Sequence, residues 1–330
     1  MSLLLQDVRY AARTLARTPG FTLLCILTIA FGVGANTAVF SMVNGVLLRR
    51  LPYAADNRLI HFQQPSSTAP HIGISVPELQ DLRAQVPELA AASEYHSMPF
   101  QFYGRGEPHR PQTGVVTDNF FNMLGVRPLL GRLFLPGEEA VGAPAVLVLS
   151  YRYWMQHFAG DPGVIGEKLT MNDRVHTVIG VLPPLPAYPG SNDVWMPAGA
   201  CPFRGSPQVL NSRNGRMLQV YAAVKPGQTL EQARTGLTNV AQRLHSAYPE
   251  NYPPARLLTF SATPVREEMT SRSRQLFLTL LGMAGFVLLI AAANFANLTL
   301  ARQLRRGHEI ALRSALGADR SRIFRQLVTE

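Results

Sequence analysis

Charge is what this sequence has least of. Asp, Glu, Lys and Arg make up 16% of its 330 residues, against about 25% in average soluble domains. Lysine is nearly missing: Lys168 and Lys225 are the two lysines, so 29 of the 31 cationic side chains are arginine. Hydrophobic residues reach 47%, and the mean hydropathy lies just above zero. Low charge with high apolar content excludes a disordered chain and an ordinary cytosolic enzyme. It predicts a soluble domain diluted by membrane segments. Cysteine is equally scarce. Cys25 in an apolar run and Cys201 far along the chain are the two thiols, which excludes a disulfide scaffold and a Cys-rich zinc site.

The usual catalytic devices are missing too. No glycine-rich loop ends in Gly-Lys-Ser/Thr, so ATP is not bound by that device and energy must come from a partner. His308-Glu309 has no later histidine to complete a two-histidine zinc helix. The remaining histidines are scattered and read as surface or structural groups. Gly73-Ile74-Ser75-Val76-Pro77 begins like a nucleophile elbow but closes on proline, so Ser75 reads as a helix cap. Trp154 and Trp195 read as core residues, and Glu267 and Glu268 as the surface of a stalk helix. The net charge of +10 is spread over the whole chain and forms no nucleic-acid patch. The reading is therefore no enzyme, no cofactor and no metal.

What is present in quantity is uncharged sequence. Residues 21–48, FTLLCILTIAFGVGANTAVFSMVNGVLL, carry no charge, and neither do residues 276–301. A bilayer core needs about 20 apolar residues in helical form. At ~1.5 Å per residue the first run reaches ~42 Å, longer than the ~30 Å core, and tilt absorbs the excess. Two transmembrane helices are expected, at 21–48 and 275–301. Arg9, Arg13 and Arg17 precede the first, and Arg302, Arg305, Arg306, Arg313, Arg320, Arg322 and Arg325 follow the second. Cationic flanks stay cytoplasmic, and the long segment 49–274 translocates despite Arg49 and Arg50. Both termini are thus expected in the cytoplasm of a bacterium with 49–274 outside its inner membrane. Residues 1–20 predict a cytoplasmic amphipathic helix lying in the lipid interface, its arginines on one stripe. Gly34, Ala38, Ser41 and Gly45 in the first span, with Gly285, Ala292 and Ala296 in the second, are candidate helix-packing positions, because small residues let backbones approach in lipid. Asn36, Thr37, Ser41, Asn44, Asn294 and Asn297 are candidates for hydrogen bonds across helices.

The segment between the spans alternates strands and helices in an α+β pattern. Strands are expected at Arg58–Gln64, Ala90–Tyr95, Pro99–Tyr103, Val146–Leu149, Gln219–Val224 and Arg256–Ser261. Helices are expected near Pro77–Gln85 and over Leu230–Tyr248. Asp118 is the expected cap of a short helix ended by Gly125. Lys168–Met171 and His176–Val181 predict a hairpin turning at Asn172-Asp173.

The run GHEIALRSALGADRSRIFRQLVTE at 307–330 resembles the cytoplasmic loop after the second span of MacB/FtsX-type ABC-transporter permeases. Glu309, Ile310, Arg313, Ala315, Leu316, Gly317, Ala318 and Glu330 carry the likeness, and His308 stands where arginine is common. Val116-Thr117-Asp118-Asn119-Phe120-Phe121, Leu124-Gly125, Arg132-Leu133-Phe134, Leu149-Ser150-Tyr151, Trp154, Phe158, Ile165-Gly166 and Ile179-Gly180-Val181 resemble the MacB-like periplasmic core domain. The opening residues look most like the acidobacterial duplicated permease branch, in which no ATPase domain is fused. The resemblance implies a periplasmic domain at 49–274 with porter-like and sabre-like parts, the latter inserted at about 136–215. It implies that residues 302–330 form a loop whose coupling helix, including Glu309, Ile310, Arg313, Ala315, Leu316, Gly317 and Ala318, contacts a separate ATPase subunit. It further implies mechanotransmission serving efflux or export of a drug, peptide or lipoprotein, with membrane lipid and a second copy or second permease half as partners. Such permeases have at least four spans, so a third is expected beyond Glu330 and the chain reads as the front part of a permease. The alternative reading is a two-span membrane sensor with an external ligand-binding domain. A tethered hydrolase stands third, without a catalytic constellation.

Overall fold

The computed structural model describes residues 16, 19–43, 53, 56–65, 72–103, 107–253 and 258–305. The chain divides into two compact units, one of residues 50–269 and one formed by residues 1–49 with 270–330.

The unit of residues 50–269 is built on one mixed sheet in the order β11-β1-β10-β2-β4-β9-β6-β8-β7-β3, with β5 paired to β8 off that path. Its strands are β1 (Leu59–Gln63), β2 (Leu89–Pro99), β3 (Phe102–Tyr103), β4 (Gln112–Val116), β5 (Leu130–Gly131), β6 (Val146–Leu149), β7 (Lys168–Met171), β8 (Arg174–Val181), β9 (Val194–Pro197), β10 (Gln219–Val224) and β11 (Ser261–Pro264). Alternation along the strands divides the core. Ile60 and Phe62 of β1, with Val220, Ala222 and Val224 of β10, face one side. Leu59, Tyr221 and Ala223 face the other, where Tyr95, Phe120, Phe121 and Trp195 form an aromatic cluster. A third cluster fills the β3-β7-β8-β6-β9 half.

Two helices cover the first face. Helix α2 (Val76–Gln85) starts where Ser75 and Glu78 close a capping box, each side chain accepting the other's backbone N–H. Helix α6 (Leu230–Ala247) has the same device from Thr229 and Gln232, and buries Ala233, Leu237, Val240, Ala241 and Leu244 at helical spacing. Helix α3 (Phe120–Leu124) ends on Gly125 at φ 71°, and α4 (Tyr151–Phe158) is capped by Ser150. A four-residue helix, α5 (Pro207–Leu210), completes the set. The β7–β8 hairpin turns at Asn172 and Asp173, both at positive φ, as a two-residue turn requires. Parallel pairing sets Gly114 of β4 beside Trp195 of β9. A Cβ at Gly114 would collide with the indole ring.

Four local expectations are corrected. The two stretches at 90–95 and 99–103 are one eleven-residue strand, β2, plus the short β3, because β2 is held by β10 on one edge and β4 on the other. The last strand runs over Ser261–Pro264 rather than Arg256–Ser261, pairing with β1. Asp118 does not cap α3; its carboxylate accepts from the Gly137 N–H at 2.6 Å, and Asn119 holds the cap position without a side-chain bond to the helix. Glu268 is not simply stalk surface: it accepts two side-chain hydrogen bonds. Trp154 and Trp195 are buried, and Cys201 is a buried free thiol.

The other unit contains helix α1 (Pro19–Val43) and most of helix α7 (Val265–Arg305). At ~1.5 Å per residue the 41 residues of α7 extend ~62 Å. Among the described residues one stretch, Gln275–Asn297, is long and apolar enough to cross a membrane by length and composition, while the apolar stretch within α1, Ile26–Ser41, is shorter. Large apolar side chains stand exposed along both helices, Phe31 at 72% and Phe286 at 68% among them.

Candidate functional site

Strand β11 passes into helix α7 without a loop, at Pro264–Val265. This junction is the candidate site in the unit of residues 50–269. Val265 is fully buried and Met269 packs on the aromatic cluster, so the first turn of α7 is part of the core. Glu267 and Glu268 lie in that turn, where carboxylates meet the positive end of the helix dipole.

Glu268 ties three elements together. Its Oε2 accepts from His61 Nδ1 of β1 at 2.8 Å and from the Tyr188 hydroxyl at 2.9 Å. His61 is itself nearly buried and stacks on Tyr221 of β10, centroids 4.5 Å apart and planes 13° apart. Tyr188 meets the same Tyr221 ring edge-on. Burial, with the neighbouring Tyr221 and the Glu268 charge, pushes the Tyr188 hydroxyl far above the ordinary phenol range. Burial and the Glu268 charge do the same to Tyr221. The shift favours the protonated hydroxyl, the form that donates to Glu268. The cluster has no nucleophile–base pair. It can hold the first turn of α7 to the sheet.

A second buried polar set lies deeper in the same unit. Arg204 donates to both oxygens of Glu94, each at 2.6 Å, with the Glu94 side chain fully buried and that of Arg204 at 10% exposure. Burial raises the Glu94 carboxyl above the ordinary carboxylate range against the opposing pull of Arg204. Burial and the Arg204 charge push the adjacent His96 imidazole down to about 4. Among the described residues no three His, Cys, Asp or Glu side chains are grouped to hold a metal.

In the helical unit, α1 and α7 meet at Gly32 and Asn36. A Cβ on Gly32 would lie 3.2 Å from Ala291 Cβ and 3.5 Å from Leu288 Cδ1. Asn36 Nδ2 donates to the Ala284 carbonyl at 2.9 Å and to the Gly32 carbonyl at 3.0 Å. Asn36 thus bonds across helices, whereas Thr37 donates to Val33 of its own helix. Gly34, Ala38, Ser41, Ala292 and Ala296 are exposed, and Gly285 is half-buried with nothing within 4 Å of a Cβ. The structure does not bring these small residues together. Gly45 and Asn44 lie outside the described residues, as do the interfacial-helix positions except Ala16, Pro19 and Gly20, the last two of which open α1. So does the whole coupling segment, with Glu309, Ile310, Arg313, Ala315, Leu316, Gly317 and Ala318.

The junction residues His61 and Tyr188 were not singled out by the sequence. Its one local signal there is the acidic pair after Pro264, which marks a helix start.

A family model described as MacB-like periplasmic core domain matches residues 22–240. The pyoverdine export ATP-binding/permease protein PvdT of Pseudomonas savastanoi pv. phaseolicola is 24% identical over 335 residues, covering 99% of this chain and 49% of its own length. The macrolide export ATP-binding/permease protein MacB of Bdellovibrio bacteriovorus is 24% identical over 306 residues, covering 92% and 45%. The chain spans about half the length of these curated relatives. Among solved structures, the periplasmic region of MacB from Actinobacillus actinomycetemcomitans aligns at 12% identity and TM-score 0.49, covering 72% of this chain and 98% of that one. Since the family match takes in more than half of its residues, the chain belongs to the MacB-like periplasmic core domain family.

Proposed function

We propose that this chain is a permease subunit of an ABC transporter. In this reading it passes the motion of a separate ATPase subunit to an extracytoplasmic domain, and so serves export. Three observations support it. The family is that of the periplasmic core domain, and the relatives bear the names of export ATP-binding/permease proteins. Both long helices expose large apolar side chains, which belong in lipid rather than water. The observation that carries the mechanism is the junction: β11 continues into α7, and Glu268 fastens that first turn to β1 and to the Tyr188 segment.

Helices α1 and α7 cross the inner membrane, with residues 49–274 outside and both ends in the cytoplasm. The Asn36 bond and the Gly32–Ala291 contact hold the pair together. The small residues left uncovered, Gly34, Ala38 and Gly285 among them, offer a face to further helices of a second copy or a second permease half. ATP closure would move the segment after α7, and a continuous helix delivers that displacement to strand β11 rather than absorbing it in a loop. The 330 residues hold no nucleotide-binding loop, so hydrolysis is assigned to the partner and no catalytic role to this chain.

Alkaline phosphatase fused after Gly190 tests the orientation, since the enzyme is active only outside the cytoplasm. High activity is expected. An inactive fusion expressed at a normal level would overturn the assignment of sides.

A further inference from the structure

Three side chains with soft or imidazole donors meet inside the unit of residues 50–269, at a place the permease reading does not use. His96 and Met98 alternate along β2 and so lie on one face of the sheet. Cys201 closes the single turn Ala198–Ala200 that follows β9. Its Sγ lies 3.9 Å from His96 Nε2 and 3.7 Å from Met98 Sδ. Cys201 is fully buried, His96 is 7% exposed, and Met98 is half-buried. The His96 Nδ1 has no hydrogen-bond partner among the described residues, and its Nε2 faces the sulfur. A buried imidazole so poorly served calls for an explanation, and a bound ion is one. The Arg204 N–H donates to the same sulfur at 3.4 Å, a bond that favours the thiolate over the thiol.

We infer that Cys201, His96 and Met98 bind one Cu(I) ion, through the thiolate, Nε2 and the thioether sulfur. Metal–sulfur and metal–nitrogen bonds run at about 2.3 and 2.0 Å. A planar three-coordinate ion with such bonds sets sulfur ~3.7 Å from nitrogen and two sulfurs ~4.0 Å apart. The two separations present here differ from these by only about 0.2–0.3 Å, so the ligands need little movement. Softness selects the metal: thiolate with thioether favours Cu(I) over the harder cations. Charge selects the valence. Glu94 holds Arg204 in a bidentate pair, so a thiolate with a monovalent ion adds no net charge to the interior. A divalent ion would leave a buried positive charge beside that guanidinium. Binding is ligand exchange without redox: the S–H bond breaks, its proton leaves to solvent, and the sulfur electron pair forms the Cu–S bond. Half-buried Met98 gives the ion its way in. All three ligands lie within one unit, so the inference stands whether or not the chain serves transport.

The test uses the full chain in lipid nanodiscs carrying Cys25→Ser, which leaves Cys201 as the remaining thiol of the two. Cu(I) is titrated under nitrogen against the chromophoric chelator bicinchoninate, with empty nanodiscs as the control. One equivalent per chain is expected, with two sulfur neighbours and one nitrogen in the copper X-ray absorption spectrum. Losing even an outer partner of a metal ligand costs about 10–100-fold in affinity. Met98→Leu, which conserves volume, should therefore weaken Cu(I) by at least about tenfold and remove one sulfur neighbour. Cys201→Ala should weaken it by at least about a hundredfold. Near-ultraviolet circular dichroism confirms that each variant is folded, and Met98→Leu, at a half-buried position, carries the test if Cys201→Ala misfolds. A parent chain that takes no copper from the chelator overturns the inference. So does a Met98→Leu chain that holds copper as tightly as its parent, or a folded Cys201→Ala chain that does.

Discussion

Arg204→Met should destabilise the unit of residues 50–269 by about 3–5 kcal/mol, the cost of stranding a buried charge without its partner. For a domain of this size that is a fall in melting temperature of roughly 6–20 °C. The reason is the burial of Glu94, whose side chain is fully enclosed and whose two oxygens both depend on Arg204. The deficit should depend on pH in one direction. In the variant the carboxyl keeps the burial that raises its pKa and loses the cation that lowers it, so the folded-state pKa lies above the unfolded one. Protonation then favours the folded state. The deficit is full above the raised pKa and shrinks as the pH falls toward the ordinary carboxylate range, about 4–5. The double replacement Glu94→Met with Arg204→Met should return stability to within about 1 kcal/mol of the parent or better, because well-packed apolar pairs often replace buried ion pairs without loss. Thermal melts of the three chains in nanodiscs, followed by near-ultraviolet circular dichroism, check this. A single variant as stable as the parent would show that Glu94 needs no cation.

The second large effect is expected at the junction. Glu268→Leu removes the acceptor of two donors at once, His61 Nδ1 and the Tyr188 hydroxyl. Each buried donor left unpaired costs about 1–3 kcal/mol, so a loss of about 2–6 kcal/mol is expected, concentrated in the first turn of α7 and the segment 183–188. Burial disfavours ionisation of the Tyr188 hydroxyl, so the donor stays to be satisfied. Amide hydrogen exchange should rise there by at least about tenfold while the β2–β4 pairing stays protected. Glu268→Gln keeps one acceptor oxygen and should lose about half as much. If the junction transmits motion, Glu268→Leu should also uncouple ATP hydrolysis from export at normal expression. Unchanged exchange in 265–269 would mean that the junction is held by packing of Val265 and Met269 alone.

Much of this architecture is readable locally. Ser75 and Glu78 announce α2 because a capping box needs only four consecutive residues. Asn172-Asp173 announces the hairpin because both positions adopt positive φ, which these two side chains tolerate. Strands β6 and β10 show as bounded apolar runs. Strand β11 is different. Ser-Ala-Thr-Pro has no strand signature, and it is extended because β1 offers it a paired edge. Strand β2 runs on through His96, Ser97 and Met98 for the same reason. The sites are less legible still. Glu94 and Arg204 lie 110 residues apart, and His61 and Glu268 lie 207 apart. No pattern in a single sequence relates residues at such distances. The small residues of the two helices show the converse. Their helical spacing of three, four and seven residues is plain in the sequence, but which stripe meets which helix depends on the packed pair, and Gly32 with Ala291 makes the contact.

The central claim is that an ATPase acts on this chain through the segment that follows α7. The direct measurement is ATP hydrolysis that co-purifies with the tagged full chain from the membranes of its own host. The comparison is with Leu316→Arg, which sets a charge in the segment resembling a coupling helix. The account predicts vanadate-sensitive hydrolysis retained by the parent and lost with the variant at equal recovery of the chain. Hydrolysis absent from the parent, or equal in both, would contradict it.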